Sequence, residues 1–112
     1  MNSSVHSTIF LDNFLLILYI DTMTRLSKKH TKTLYNIFHE PLRSDVAWHD
    51  IESLIIALGG EITEGKGSRV RIFLHGIRAV FHRPHPQRVT DKGALKSLRR
   101  FLMEAGIKNA EI

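Results

Sequence analysis

The stretch Arg69-Val70-Arg71-Ile72-Phe73-Leu74-His75-Gly76-Ile77-Arg78-Ala79-Val80-Phe81-His82 constrains the fold of this chain more than any other. It folds about His75-Gly76, a two-residue turn in which glycine accepts positive φ. Leu74 then faces Ile77, Ile72 faces Ala79 and Val70 faces Phe81. The alternate set places Arg71 opposite Val80, Phe73 opposite Arg78 and Arg69 opposite His82. Strand side chains alternate with period two, so one face is wholly apolar and the other carries three arginines and a histidine. The apolar face must be covered by other elements. The cationic face suits an anionic polymer better than a small neutral metabolite.

The 112 residues are one domain's worth of chain and enough to bury a core. The net charge is +5 and the pI about 9.9, which points to nucleic acid or another polyanion. The distribution sharpens this. Between Glu61 and Arg100 ten cations stand against three anions, a local +7 that exceeds the charge of the whole chain. There is no cysteine, hence no disulfide framework, thiol nucleophile or cysteine-ligated zinc, a composition compatible with a reducing cytosol. His82 and His85 are three residues apart, but Arg83 and Pro84 intervene and no acidic or cysteine partner lies nearby, so no metal site is expected. P-loop, dinucleotide-binding and serine-hydrolase patterns are absent.

Residues 1–22 read as a non-native or disordered extension. Ile9 to Ile20 is apolar except for Asp12 and Asn13. It is too short for a membrane span, which needs about 20 residues, and it lacks the basic start and cleavage site of a signal peptide. Met23, followed by Thr-Arg-Leu-Ser-Lys-Lys, is the expected translation start.

Residues 23–112 read as a single domain. Ser27 caps a first helix running to about Glu40, where Pro41 ends it, with His30, Leu34, Ile37 and Phe38 on one side. A second helix, near Trp48 to Leu58, places Ile51, Leu54, Ile55 and Leu58 at i, i+3, i+4 and i+7, and Gly59-Gly60 stops it. A short strand near Glu61 to Thr63, a Gly65-Lys66-Gly67 turn and the hairpin follow. Pro84 and Pro86 end the ladder at about His82. Thr90 or Asp91 caps a last helix with the buried stripe Leu95, Leu98, Leu102 and Ala105, and with Lys92, Lys96, Arg99 and Arg100 opposite. The fold class is therefore α+β. Its α-β-β-β-α portion has the order of a double-stranded-RNA-binding domain, two layers with an extra N-terminal helix.

Trp48-His49-Asp50-Ile51-Glu52-Ser53-Leu54, Leu58-Gly59-Gly60, Gly67-Ser68-Arg69, Pro84-His85-Pro86, Lys92-Gly93-Ala94-Leu95-Lys96-Ser97-Leu98 and Ala105-Gly106-Ile107, in that succession, resemble the HicA family of toxins. The likeness covers about Trp48 to Ile107, within a core of about 45–107, and residues 28–40 look like the extra helix of a longer HicA-like subgroup. The resemblance implies a cytoplasmic messenger-RNA interferase of a toxin–antitoxin pair with a double-stranded-RNA-binding-domain-like fold. It further implies endonucleolytic cleavage without a metal or other cofactor, and neutralisation by a HicB-type antitoxin protein.

One departure bears on catalysis. Where the family carries Gly-Ser-His, with the histidine associated with catalysis, this chain reads Gly67-Ser68-Arg69. Arginine holds phosphate and stabilises a pentacoordinate intermediate but does not deprotonate, so it is no general base. Metal-free cleavage needs a group to take the 2′-hydroxyl proton, one to protonate the 5′-oxygen, and cations around the phosphorane. His82 stands opposite Arg69, at a Cβ separation of about 4.5–5.5 Å in a regular ladder, and His85 matches the family's downstream Pro-His. These two are the expected catalytic residues. Ser68, Arg69, Arg71, Arg78, Arg83, Lys92, Lys96 and Arg99 are the expected RNA- or phosphate-binding residues. His75 reads as a turn residue, and His30 and His49 as helix-surface residues. The alternative reading is a non-catalytic RNA-binding module, or a degenerate toxin, because of Arg69.

Overall fold

The computed structural model describes residues 26–107; the expected extension at 1–22 and start at Met23 lie outside them. The elements are α1 (Lys28–Ile37), α2 (Trp48–Ala57), β1 (Glu61–Glu64), β2 (Arg69–Leu74), β3 (Ile77–His82) and α3 (Lys92–Glu104). The strands form one antiparallel sheet in the order β1-β2-β3. The α+β architecture with helix, three-stranded sheet and C-terminal helix is as expected.

The hairpin register is the one the alternation requires, from Leu74 opposite Ile77 to Arg69 opposite His82. His75 (φ 49°) and Gly76 (φ 83°) both take positive φ, which matches the right-handed twist of the strands they join. The strained non-glycine position is held from outside. His75 Nδ1 donates to the Ala105 carbonyl at the end of α3, 2.8 Å away. Along β2, burial alternates strictly: Val70, Ile72 and Leu74 are buried, while Arg69, Arg71 and Phe73 face out.

Two helices cover the inner face, α2 at its β1 side and α3 at its β3 side. Ile51, Leu54 and Ile55 of α2 and Leu95, Leu98 and Leu102 of α3 are fully buried. Phe101, outside the expected stripe, is also buried, and its ring meets Phe81 edge-on at 6.1 Å between centroids. Trp48 meets the same Phe81 ring at 5.9 Å, so one strand residue joins both helices. At the end of α2, Gly59 N–H reaches the Ile56 carbonyl and Gly60 N–H the Ile55 carbonyl, a Schellman closure. Gly60 is required by close packing. A Cβ there would lie 2.7 Å from Ile55 Cγ2 and 3.1 Å from the Phe73 carbonyl oxygen.

Helix α1 is shorter than expected. Ser27 Oγ accepts from His30 N–H at its start, but the chain leaves the helix at Phe38. A residue preceding proline disfavours helical backbone, and the turn unwinds before reaching Pro41. Leu34 and Ile37 pack into the shared core beside α2. Asp91, rather than Thr90, caps α3, its Oδ1 accepting from Ala94 N–H at 2.8 Å.

Candidate nucleic-acid interface

The outer face of the sheet presents Arg69, Arg71 and Phe73 from β2 and Arg78, Val80 and His82 from β3. Glu61 and Thr63 stand on β1 opposite Phe73 and Arg71. All eight side chains are exposed. Glu61, Thr63, Arg71, Phe73, Arg78 and Val80 line a shallow concavity. Arg71 is steadied by an Nη1 donation to the Glu64 carbonyl at 3.1 Å. The Arg78 guanidinium lies over the Phe73 ring, 5.2 Å from its centroid.

At one end of this face stand Ser68, Arg69 and His82. Arg69 and His82 are cross-strand partners, and the ladder continues one step beyond the strands through the Arg83 N–H bond to the Ser68 carbonyl, 2.8 Å. Ser68 Oγ lies 3.4 Å from His82 Nδ1, a long hydrogen bond that engages one of the two ring nitrogens. Ser68, Arg69 and a histidine from the neighbouring strand thus share one exposed corner.

The loop leaving β3 carries His85, exposed. It then runs back against the segment before α2: Val89 bridges Ala47, Trp48 N–H donates to the Arg88 carbonyl at 3.0 Å, and Thr90 N–H to the Val46 carbonyl at 2.8 Å. This pairing brings the N-terminal ends of α2 and α3 together beside the loop. Lys92 and Lys96 are exposed on the first turns of α3. The helix N-terminus holds the Asp91 carboxylate on the Ala94 N–H.

Two expected phosphate ligands are engaged elsewhere. Arg83 Nε donates to Glu52 Oε2 and Nη2 to Glu64 Oε2, each at 2.7 Å, so the guanidinium is clasped between α2 and β1. Glu52 is further held by Trp48 Nε1. The hydrogen bonds from Arg83, with its charge, hold the Glu64 carboxyl below the usual range, and Glu64 and Glu52 together raise the already high pKa of Arg83. Arg99 turns towards α1. Its Nε donates to the Ile37 carbonyl at 3.0 Å and its Nη2 to the His39 carbonyl at 2.7 Å, while Nη1 meets Glu40. Its side chain is 18% exposed. The extra helix thus takes one cation out of the row on α3.

Phe73 and Val80 were not among the expected site residues, although strand alternation places both on the outer face. They are 38% and 57% exposed and form the apolar centre of a charged surface. Among the described residues no three His, Asp or Glu side chains cluster so as to hold a metal ion, and no helix is long and apolar enough to cross a membrane.

No match was found among curated proteins or among solved structures. The family model described as HicA toxin of bacterial toxin-antitoxin matches residues 48–110, more than half of the chain and all of the sheet with its two covering helices. The chain belongs to the HicA toxin family.

Proposed function

We propose that this protein is a metal-independent endoribonuclease that acts on messenger RNA in the cytoplasm and is neutralised by a HicB-type antitoxin. The observation that carries the reading is the corner where His82, Arg69 and Ser68 meet on a cationic sheet. The 2′-hydroxyl attacks the adjacent phosphorus, forming a P–O2′ bond and breaking the P–O5′ bond. Neutral His82 takes the 2′-proton through Nε2, and His85, on the loop three residues on, returns a proton to the departing 5′-oxygen. Arg69 binds the nonbridging oxygens and stabilises the phosphorane, with Ser68 holding the His82 ring. Arg71 and Arg78 bind flanking phosphates, and Lys92 and Lys96 bind RNA beyond the sheet. Arg83 and Arg99 act in support by fixing the loop and the helix from which these groups project. An antitoxin that blocks this site would present acidic groups to the arginines and cover His82 and His85.

A second reading is favoured by one specific residue. Arg69 does not deprotonate, and if the family's histidine is indispensable the chain binds RNA without cutting it.

Incubation of the full chain with a long RNA in excess EDTA, beside His82→Ala and His85→Ala, separates the two. The nuclease reading expects cleavage by the parent and a loss of about 10²-fold or more in the variant lacking the base. The parent is also expected to show a bell-shaped pH profile, because one histidine must be neutral and the other charged. Salt-sensitive binding with no cleavage at any pH would select the binding module.

A further inference from the structure

The centre of the outer face has a chemistry that phosphate binding leaves unused. Phe73 is an aromatic ring exposed on a rigid central strand, with Val80 beside it on the diagonal and Arg71 and Arg78 around it. A solvated face gains nothing from exposing a phenyl ring and a valine together. A partner with flat apolar surfaces and negative charges matches the patch, and an unpaired nucleotide has both: a base to stack and a phosphate to hold.

We infer that Phe73 is a stacking platform for an unpaired base of single-stranded RNA, with Arg78 and Arg71 binding the phosphates on either side. The inference rests on the RNA reading above and adds to it the strandedness of the substrate and a positioning contact. Phe73 lies four residues along β2 from Arg69, about 13 Å at roughly 3.3 Å per residue. An RNA whose reacting phosphate sits at Arg69 and His82 therefore stacks a neighbouring base on Phe73, not the base at the cut. The acidic residue on this face, Glu61, stands on β1 opposite Phe73. It repels phosphate from that edge and directs the backbone along the β2–β3 side, where Arg69, Arg71 and Arg78 stand. The Arg78 guanidinium, already over the ring, is drawn aside by a phosphate or shares the stack, as arginine does with bases. A base in a duplex is already stacked and cannot use the platform.

The test measures binding of the full chain to a short single-stranded 2′-O-methyl oligoadenylate, in which the attacking hydroxyl is blocked, and to the same backbone carrying abasic sites. The parent is expected to bind the oligoadenylate about tenfold or more tightly than the abasic strand, the range that one base–aromatic stack supplies. Phe73→Ala is expected to lose that preference while binding the abasic strand as the parent does. Phe73→Leu, which keeps most of the volume without the ring, should also lose most of the preference. Phe73→Trp should retain it, with the added indole quenched on binding. Melting temperatures establish that each variant is folded. A parent that binds neither strand would overturn both the RNA reading and this one. Equal preference for the base in parent, Phe73→Ala and Phe73→Leu would overturn the platform alone, leaving RNA binding to the arginines and the apolar patch to a protein partner.

Discussion

Arginine is the most frequent residue on the working side of this molecule, and environment sorts its copies into two kinds. Arg69, Arg71 and Arg78 project from a sheet face whose nearby carboxylate, Glu61, stands on β1 opposite Phe73. Arg83 faces two carboxylates at hydrogen-bonding distance, and a guanidinium with both its forks occupied offers little to a phosphate. The Arg83–Glu64 pair has a pH signature. Glu64 is held below its ordinary value of 4.5 by the Arg83 hydrogen bonds. A carboxylate with a depressed folded-state pKa contributes stability that is whole above the ordinary value and drains away as pH falls below it. The raised pKa of Arg83 has its consequence only at alkaline extremes. Glu64→Gln is therefore expected to lower the melting temperature near neutrality, and the gap from the parent should close as pH falls below about 4. Because Glu64 is exposed, the gap is small. A gap of equal size at pH 7 and pH 3 would show that the ion pair is not its source.

At the scale of elements, α1 does more than extend the core. The last turn of any helix leaves carbonyls without intrahelical partners, and here Arg99 of α3 reaches across to satisfy that of Ile37 and, just past the helix end, that of His39. Its guanidinium also lies 5.9 Å from the centroid of the Phe38 ring. Arg99→Gln is expected to cost about 1–3 kcal/mol, since charge-assisted bonds to half-buried carbonyls are lost and the carbonyls remain. The loss should appear first as faster amide exchange in residues 28–38, ahead of α2 and the sheet. Uniform acceleration across all three helices would mean that the arginine stabilises the whole core rather than docking one helix. This contact also marks where the sequence stops being readable. The hairpin register was legible because alternation and a two-residue turn act within fourteen residues, and the helices because 3.6-residue periodicity is equally local. Which of Lys92, Lys96, Arg99 and Arg100 would turn inward was not legible, because it depends on where a helix some sixty residues earlier in the chain comes to rest. Arg83 escaped for the same reason, its partners lying 31 and 19 residues away. The corner of Arg69 and His82 was legible as a strand pairing; the Ser68 contact to His82 follows from the same ladder carried one step further.

At the scale of the whole molecule the division between free and engaged cations becomes measurable. Formal charge counts every lysine and arginine alike, yet only those that displace counterions from RNA enter the salt dependence of binding. For single strands the slope of log K against log salt is about −0.7 for each phosphate neutralised. If Arg69, Arg71, Arg78, Lys92 and Lys96 each meet a phosphate, the slope for a strand long enough to reach all five is about −3.5. Arg78→Gln should then make the slope shallower by about 0.7 and weaken binding most at low salt. Arg99→Gln removes the same formal charge from a side chain already spent on α1, and should leave the slope where it was. Titrations of parent and both variants with a non-cleavable single strand, across a range of potassium chloride, test this directly. Equal shifts in the two variants would mean that RNA responds to the protein's overall charge, and the sorting of arginines by their partners would then have no bearing on binding. A shift confined to Arg78→Gln would place the polymer on the open face of the sheet, over the strand pair whose alternation shapes the fold.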